Sequence, residues 1–285
     1  MVEPYSPLRY PGGKATLAGL LAALIKANGA QDGTYVEPYA GGAGAALSLL
    51  MGEHVSHIVI NDIDERIHAF WWSVLNRSTQ FLDMVATARI TMDEWYAQRE
   101  IYLRPRAHGR LRIGFATFFL NRCNRSGILV NGGPVGGHDQ AGKWKLNARF
   151  DPTKLAKRIE SIAHFRDRIT VSCVDAMELL QKMVAQEAGR GTFVYLDPPY
   201  YVKGSLLYLN AYTHENHLAL ANFLRRDLPF AWLTSYDNAP EIREMYAGFH
   251  QRPLTLSYTT HRRRAGRELL IYGDKLVTRG ACWPN

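Results

Sequence analysis

Cysteine is scarce in this chain. Cys123, Cys173 and Cys282 are the three present, widely spaced and without a C-x-x-C pair. That count and spacing argue against a disulfide framework and a cysteine zinc site, and suit a reducing interior. Long apolar runs are also missing. The longest early one, Leu17 to Ile25, stops at Lys26, well short of the ~20 residues that span a bilayer. The first residues, with Glu3, Pro4 and Pro7, show neither a basic n-region nor an apolar h-region. Acid is in deficit: 26 Asp and Glu against 34 Lys and Arg give a formal net charge of +8. Internal repeats are absent. The expectation is a cytoplasmic protein with no membrane contact and a polyanionic partner such as nucleic acid.

What is present is globular in character. Apolar residues make up 47% and charged residues 21% of 285, which excludes a disordered or low-complexity scaffold. That length allows one large domain, or one domain carrying an insert, at roughly 100–200 residues per domain. Strand and helix signals alternate early. Ala15 to Asn28 has helical periodicity, Thr34 to Tyr39 reads as a strand, Ala46 to Met51 as a helix, His57 to Asn61 as a buried strand and Glu65 to Leu75 as a helix. Alternation of this kind predicts an α/β fold with a doubly wound, Rossmann-like sheet.

The pattern breaks between 76 and 151. Phe115 to Arg122 looks helical, and Asn131 to Lys143 is a glycine-rich loop or hairpin. Alternation then returns, with helices at Pro152–Phe165, Ala176–Ala188, His214–Arg226 and Pro240–Tyr246. Strands are expected at Ile169–Cys173, Thr192–Leu196 and Phe230–Thr234, with a terminal pair at Pro253–Tyr258 and Glu268–Tyr272. The expected division is 1–75 with 152–285 as one catalytic domain and 76–151 as an inserted recognition domain.

Asp197-Pro198-Pro199-Tyr200 follows the strand Phe193 to Leu196, at the edge where open α/β sheets bind ligands. An exocyclic amine on a heteroaromatic ring is a poor nucleophile. Two acceptors aimed at its N–H bonds can hold it and stabilise the charge it acquires. The Asp197 carboxylate is one, and the Pro198 carbonyl, held by two prolines, is the other. Tyr200 offers an aromatic face to a base. The bland alternative is a strand-end turn.

Glu37 to Gly44 (E-P-Y-A-G-G-A-G) ends a strand and opens a helix, so its glycines let backbone approach a ligand. Asp62, about 20 residues on, occupies the position from which an acid bonds ribose hydroxyls; as an isolated residue it reads equally well as a helix N-cap. His214-Glu215-Asn216-His217 has its histidines three apart, unlike the zinc-protease motif, and reads as a helix cap and a solvated face.

Taken together and in order, these motifs resemble the Dam-type (D12 class, α-group) DNA adenine N6-methyltransferases over nearly the whole chain. The resemblance rests on Tyr10-Pro11-Gly12-Gly13-Lys14, Glu37 to Gly44, Asn61-Asp62-Ile63-Asp64, Asn121-Arg122 and Asp197 to Tyr200. It implies the S-adenosylmethionine-dependent methyltransferase fold, a mixed sheet with an inserted, mainly helical target-recognition domain. It implies S-adenosylmethionine as cosubstrate, S-adenosylhomocysteine as product, and no metal. Lys14 would bind the methionine carboxylate, with Tyr10 and Gly12 beside it. Glu37, Tyr39 and Gly41 would line the methionine end, Asp62 would hold the ribose and Asp175 would contact the adenine moiety. Asp197, Pro198, Pro199 and Tyr200 would receive an adenine flipped out of double-stranded DNA. Two departures stand out. The family loop's second glycine falls on Ala43. Val130 stands where members that methylate GATC carry an arginine, which speaks against that site.

For the DNA itself, Arg104, Arg106, Arg110, Arg112, Arg122 and Arg125 are candidates for phosphate or guanine contacts. Lys143 and Lys145 flank Trp144, and Arg262, Arg263, Arg264 and Arg267 form a second patch. For any one arginine a solvated basic face is an equal alternative. Cytosine N4-methylation, which more often uses S-P-P-Y, RNA adenine methylation, which often uses N-P-P-Y, and a silent DNA-binding module are the competing functions. A monomer or weak dimer, with or without a cognate restriction endonuclease, completes the expectation.

Overall fold

The computed structural model describes residues 5–10, 14–186, 189, 191–202, 212–258 and 264–283. Seven strands form one mixed sheet: β1 Thr34–Glu37, β2 His57–Asn61, β3 Ile169–Ser172, β4 Thr192–Leu196, β5 Ala231–Asp237, β6 His250–Tyr258 and β7 Arg264–Tyr272. Their order is β3-β2-β1-β4-β5-β7-β6. The first five run parallel, and β7 enters antiparallel to β5 and pairs with β6 as a hairpin. Chain order reverses between β1 and β4, the switch point of an open sheet.

Strands buried on both faces need apolar residues at every position, and β4 (T-F-V-Y-L) is buried throughout. Successive side chains point to opposite faces. Tyr35, Phe193 and Tyr195 enter one hydrophobic cluster, while Val36, Val194 and Leu196 enter the other. The first cluster is covered by α1 Ala18–Ala27, α2 Gly44–Met51, α3 Glu65–Asn76 and α7 Pro152–His164. The second is covered by α8 Ala176–Ala185, α9 His214–Arg226 and α10 Pro240–Met245.

Between α3 and α7 lie α4 Ser78–Thr87, α5 Met92–Leu103 and α6 Arg110–Cys123. The sequence reading places no helix at the first two. The α6 helix packs on α3 and α5 and is buried almost continuously from Ile113 to Cys123. Gly114 permits the close crossing, since a Cβ there would lie 2.5 Å from the Ala69 carbonyl oxygen. Phe70 of α3 stacks on Phe118, with ring centroids 5.9 Å apart. The helices of 76–151 therefore share the core cluster that holds Tyr35 and Phe193. The glycine-rich 131–143 stretch forms a loop with one isolated bridge, Asn124 to Pro134, and no strand pair.

Candidate active site

The carboxyl ends of the parallel strands open onto a cavity of about 800 Å³. Asn61 at the end of β2 ties three strand ends together. Its Nδ2 donates to the carbonyls of Pro38 at 3.0 Å and Val174 at 2.9 Å, and its Oδ1 accepts from Val174 N and Ser172 Oγ. The loops after β1, β2 and β3 are thus held in one arrangement.

The β1 loop lines the cavity through Glu37, Tyr39 and Gly41. Gly41 adopts φ +45°, and a Cβ there would lie 2.7 Å from the Tyr10 ring, which also lines the cavity. Ala43, standing where the family has glycine, adopts φ 47°, ψ 33°. The loop keeps the left-handed turn despite the substitution, at a cost of roughly 1–2 kcal/mol for a side chain in that region. Ala43 cannot cap α2, and buried Glu37 does so instead. Its Oε1 accepts from Ala46 N at 3.1 Å and from Tyr35 OH at 2.8 Å. Burial, the largest influence, pushes the Glu37 carboxyl up to about 8.

Asp62 is not the cap of α3. Asp64 is, accepting from Arg66 N at 2.9 Å. Asp62, which lines the cavity, instead accepts at Oδ2 from Gly41 N at 3.0 Å and at Oδ1 from Asp64 N at 2.9 Å. The surrounding protein pushes that carboxyl up to about 7, burial being the main cause. Asp175 also lines the cavity and serves as N-cap of α8, its Oδ1 accepting from Met177 N at 2.8 Å. Tyr39 OH meets Tyr212 OH at 2.8 Å.

The second half of the site lies around Asp197, which lines the cavity with Pro199; Pro198 is buried, and neither it nor Tyr200 is among the lining residues. Lys14 Nζ lies 2.9 Å from Asp197 Oδ1 and 3.0 Å from Oδ2. It also donates to Tyr200 OH at 3.1 Å and lies 3.4 Å from Glu268 Oε1. The Lys14 side chain is only 5% exposed. The resemblance implied Lys14 at a cosubstrate carboxylate; here its ammonium rests on the D-P-P-Y motif. Tyr200 OH donates to Glu268 Oε1. On the other side Ser235 Oγ donates to Asp197 Oδ1 at 2.9 Å and meets Tyr195 OH at 2.7 Å. Sequence reading missed Glu268, Ser235 and Tyr195. Tyr195 and Glu268 lie in segments read as sheet strands and Ser235 one residue past the strand read at Phe230–Thr234, and only the register gathers their polar atoms around Asp197 and Lys14.

His217 departs from expectation. It is buried, not solvated, with Nδ1 3.1 Å from Tyr236 OH, and burial pushes its imidazole down to about 4. The cap of that helix is Thr213. Among the described residues no cluster of three His, Cys, Asp or Glu side chains could hold a metal, and no helix is long and apolar enough to cross a membrane.

Most of the described candidate DNA contacts are exposed: Arg104, Arg106, Arg110, Arg112, Arg125, Lys143 and Lys145. Arg104 pairs with Glu100 at 2.9 Å, Arg125 Nε donates to the Pro134 carbonyl at 3.3 Å, and Lys145 Nζ donates to that of Gln140. Arg122 instead lines the cavity, donating to the carbonyls of Arg149 at 2.7 Å and Pro7 at 3.3 Å. Burial first, then neighbouring Arg9, Arg158 and Arg149, lowers its guanidinium to about 9. Val130 also lines the cavity. Gly12, Arg262 and Arg263 lie outside the described residues; Arg264 opens β7, and Arg267 lies within it, both with only their backbone described.

No curated protein matches the chain. The solved structure of the rRNA methyltransferase aviRa from Streptomyces viridochromogenes is similar over 95% of this chain and 89% of that one, at 13% identity and a TM-score of 0.39. The family model for D12 class N6 adenine-specific DNA methyltransferases matches residues 10–260, a span that takes in the β1 loop, Asp62, Asp175 and the D-P-P-Y motif. The chain belongs to the D12 class of N6 adenine-specific DNA methyltransferases.

Proposed function

We propose that the cavity at the β1/β4 switch point is where methyl transfer takes place, with Asp62 and Asp175 on the cosubstrate side and Asp197 on the side of the target adenine. The observation that carries this reading is convergence. Lys14, Glu37, Asp62, Asp175 and Asp197, far apart in sequence, line one space. The family implies S-adenosylmethionine and DNA as substrates, and the cavity's residues fit the first. Gly41 lets the Tyr10 ring close against the β1 loop at the cavity wall, since a Cβ there would lie 2.7 Å from that ring. Asp62 and Asp175 present acceptors at the ends of β2 and β3, suited to hydroxyl and amino donors.

The cosubstrate supplies an electrophilic methyl group on a sulfonium, an excellent leaving group. The protein's part is alignment and charge. Asp197 and the Pro198 carbonyl take the two N–H bonds of the extruded adenine amine, leaving its lone pair directed at the methyl carbon. As the N–C bond forms and the S–C bond breaks, sulfur keeps the electron pair. The nitrogen's surplus proton then leaves toward the Asp197 carboxylate. Ser235, backed by Tyr195, fixes the rotation of that carboxylate. Extruding the base costs a few kcal/mol of stacking, which contacts from the 76–151 segment, the proposed recognition unit, and its basic residues would offset.

Asp197→Ala is the direct test, using tritiated methyl transfer to adenine-unmethylated genomic DNA. Turnover falls to background while S-adenosylmethionine binding, followed by calorimetry, persists. Normal methylation by this variant would refute the site.

A further inference from the structure

We infer that Glu268 is a positioning residue of this site: it shares the Lys14 ammonium with Asp197 and so keeps the amine-accepting cluster anionic. This rests on the proposed role of Asp197 and extends it. Glu268 lies beyond the segment that matches the family, 10–260.

Glu268 sits on β7, opposite Asp237 at the end of β5. The antiparallel course of β7 brings it to the edge where the parallel strands end. The residue is 1% exposed. Its Oε1 accepts from Tyr200 OH and lies 3.4 Å from Lys14 Nζ. Its Oε2 is buried with no hydrogen-bond partner. A half-satisfied buried carboxyl is a costly occupant of a strand position whose neighbours Leu269, Leu270 and Ile271 are apolar and buried. Packing offers no reason for it.

Charge does offer one. Lys14 and Asp197 alone make a neutral pair, as close as 2.9 Å. A neutral pair presents little net field to a nitrogen that becomes positive as it accepts a methyl group. With Glu268 present, two carboxylates share one ammonium. When both are ionised the cluster carries one net negative charge, buried where it acts strongly. Glu268 also draws on the Lys14 ammonium, which rests on both Asp197 oxygens and on Tyr200 OH, and so helps leave an Asp197 lone pair for the amine.

Among the described residues, the groups facing Glu268 include Lys14 from the turn before α1, Asp197 and Tyr200 from the segment after β4, Tyr195 from β4 itself and Asp237, its cross-strand partner on β5. Burial raises the Glu268 carboxyl most. Lys14 opposes that, Asp197 adds to it and Tyr200 opposes it, with the net direction upward. As pH falls Glu268 takes up a proton, the cluster becomes neutral, and the rate of methyl transfer drops.

The experiment compares the full-length protein with Glu268→Gln, Glu268→Asp and Asp197→Ala. It measures kcat and the KM for S-adenosylmethionine from pH 5.5 to 9 on adenine-unmethylated genomic DNA, with thermal unfolding as a control. Glu268→Gln is expected to lower kcat at least tenfold at neutral pH, leave KM within about twofold and flatten the acid limb of the kcat profile. Glu268→Asp keeps that limb and part of the rate, and carries the test if the Gln variant does not fold. Wild-type kcat in Glu268→Gln, a reduced kcat with an unchanged acid limb, or loss of the limb in Glu268→Asp each overturns the inference. Normal methylation by Asp197→Ala removes the reading beneath it. An inactive Asp197→Ala beside a fully active Glu268→Gln removes the inference alone.

Discussion

Asn121 clasps the backbone of Arg9 from both sides, across 112 positions of sequence. Its Oδ1 accepts from Arg9 N at 2.7 Å and its Nδ2 donates to the Arg9 carbonyl at 2.8 Å. The same Nδ2 donates to the Gly127 carbonyl at 2.9 Å. Through this clasp α6 holds the segment carrying Tyr10, next to the stretch that leads to Lys14. Asn121→Ala strands these buried backbone groups, each costing about 1–3 kcal/mol. The expected loss is at least ~2 kcal/mol of stability by urea unfolding, with weaker cosubstrate binding. Unchanged stability would show that the clasp does not restrain the segment.

Asp62 and Asp64 are two positions apart and do different work. Asp64→Ala removes an N-cap, worth about 1 kcal/mol of stability, and should leave cosubstrate affinity within about twofold. Asp62→Ala should weaken S-adenosylmethionine binding at least tenfold, measured by calorimetry. Reversal of the two outcomes would return Asp62 to the capping role.

Glu37 and Asp62 should make the free protein less stable as pH rises from about 4.5 to about 8, against the opposite pull of buried His217 between about 4 and 6.5. Glu37 is raised to about 8 and Asp62 to about 7 in the folded chain. Over that window the native state holds protons that the unfolded chain has lost, so alkali favours unfolding. Their stabilising contribution is complete below the ordinary carboxylate range and is lost as pH passes the folded values. Denaturant unfolding at pH 5 and pH 8 reads the difference, and Glu37→Gln should reduce it.

DNA affinity should fall steeply with salt, by a slope of about 0.9 per phosphate contact in a logarithmic plot. Replacing Arg125, Lys143 and Lys145 together by alanine should flatten that slope, as followed by fluorescence anisotropy. An unaltered slope would place the phosphate contacts elsewhere.

Much of the architecture was legible in the chain itself, because periodicity and turn chemistry are local. The strands His57–Asn61 and Thr192–Leu196 and the helix His214–Arg226 lie where their patterns placed them. Helices α4 and α5 were not legible. The α6 helix was read only from Phe115 to Arg122, since its first turn alternates the exposed Arg110 and Arg112 with apolar residues and runs into Gly114, a poor helix former. His217 misled for a different reason: its polar side chain enters the core against Tyr236.

The motifs themselves determined the family, the strand-end position of D-P-P-Y and the acids after β2 and β3, since each depends on residues adjacent in sequence. Tertiary structure decided the rest. It brought Lys14 onto Asp197 across 183 positions, assigned the α3 cap to Asp64, and carried Glu268 into the same cluster through an antiparallel register. Those choices depend on which strands lie side by side and in which direction, and a polar atom on a strand does its work only where that register delivers it.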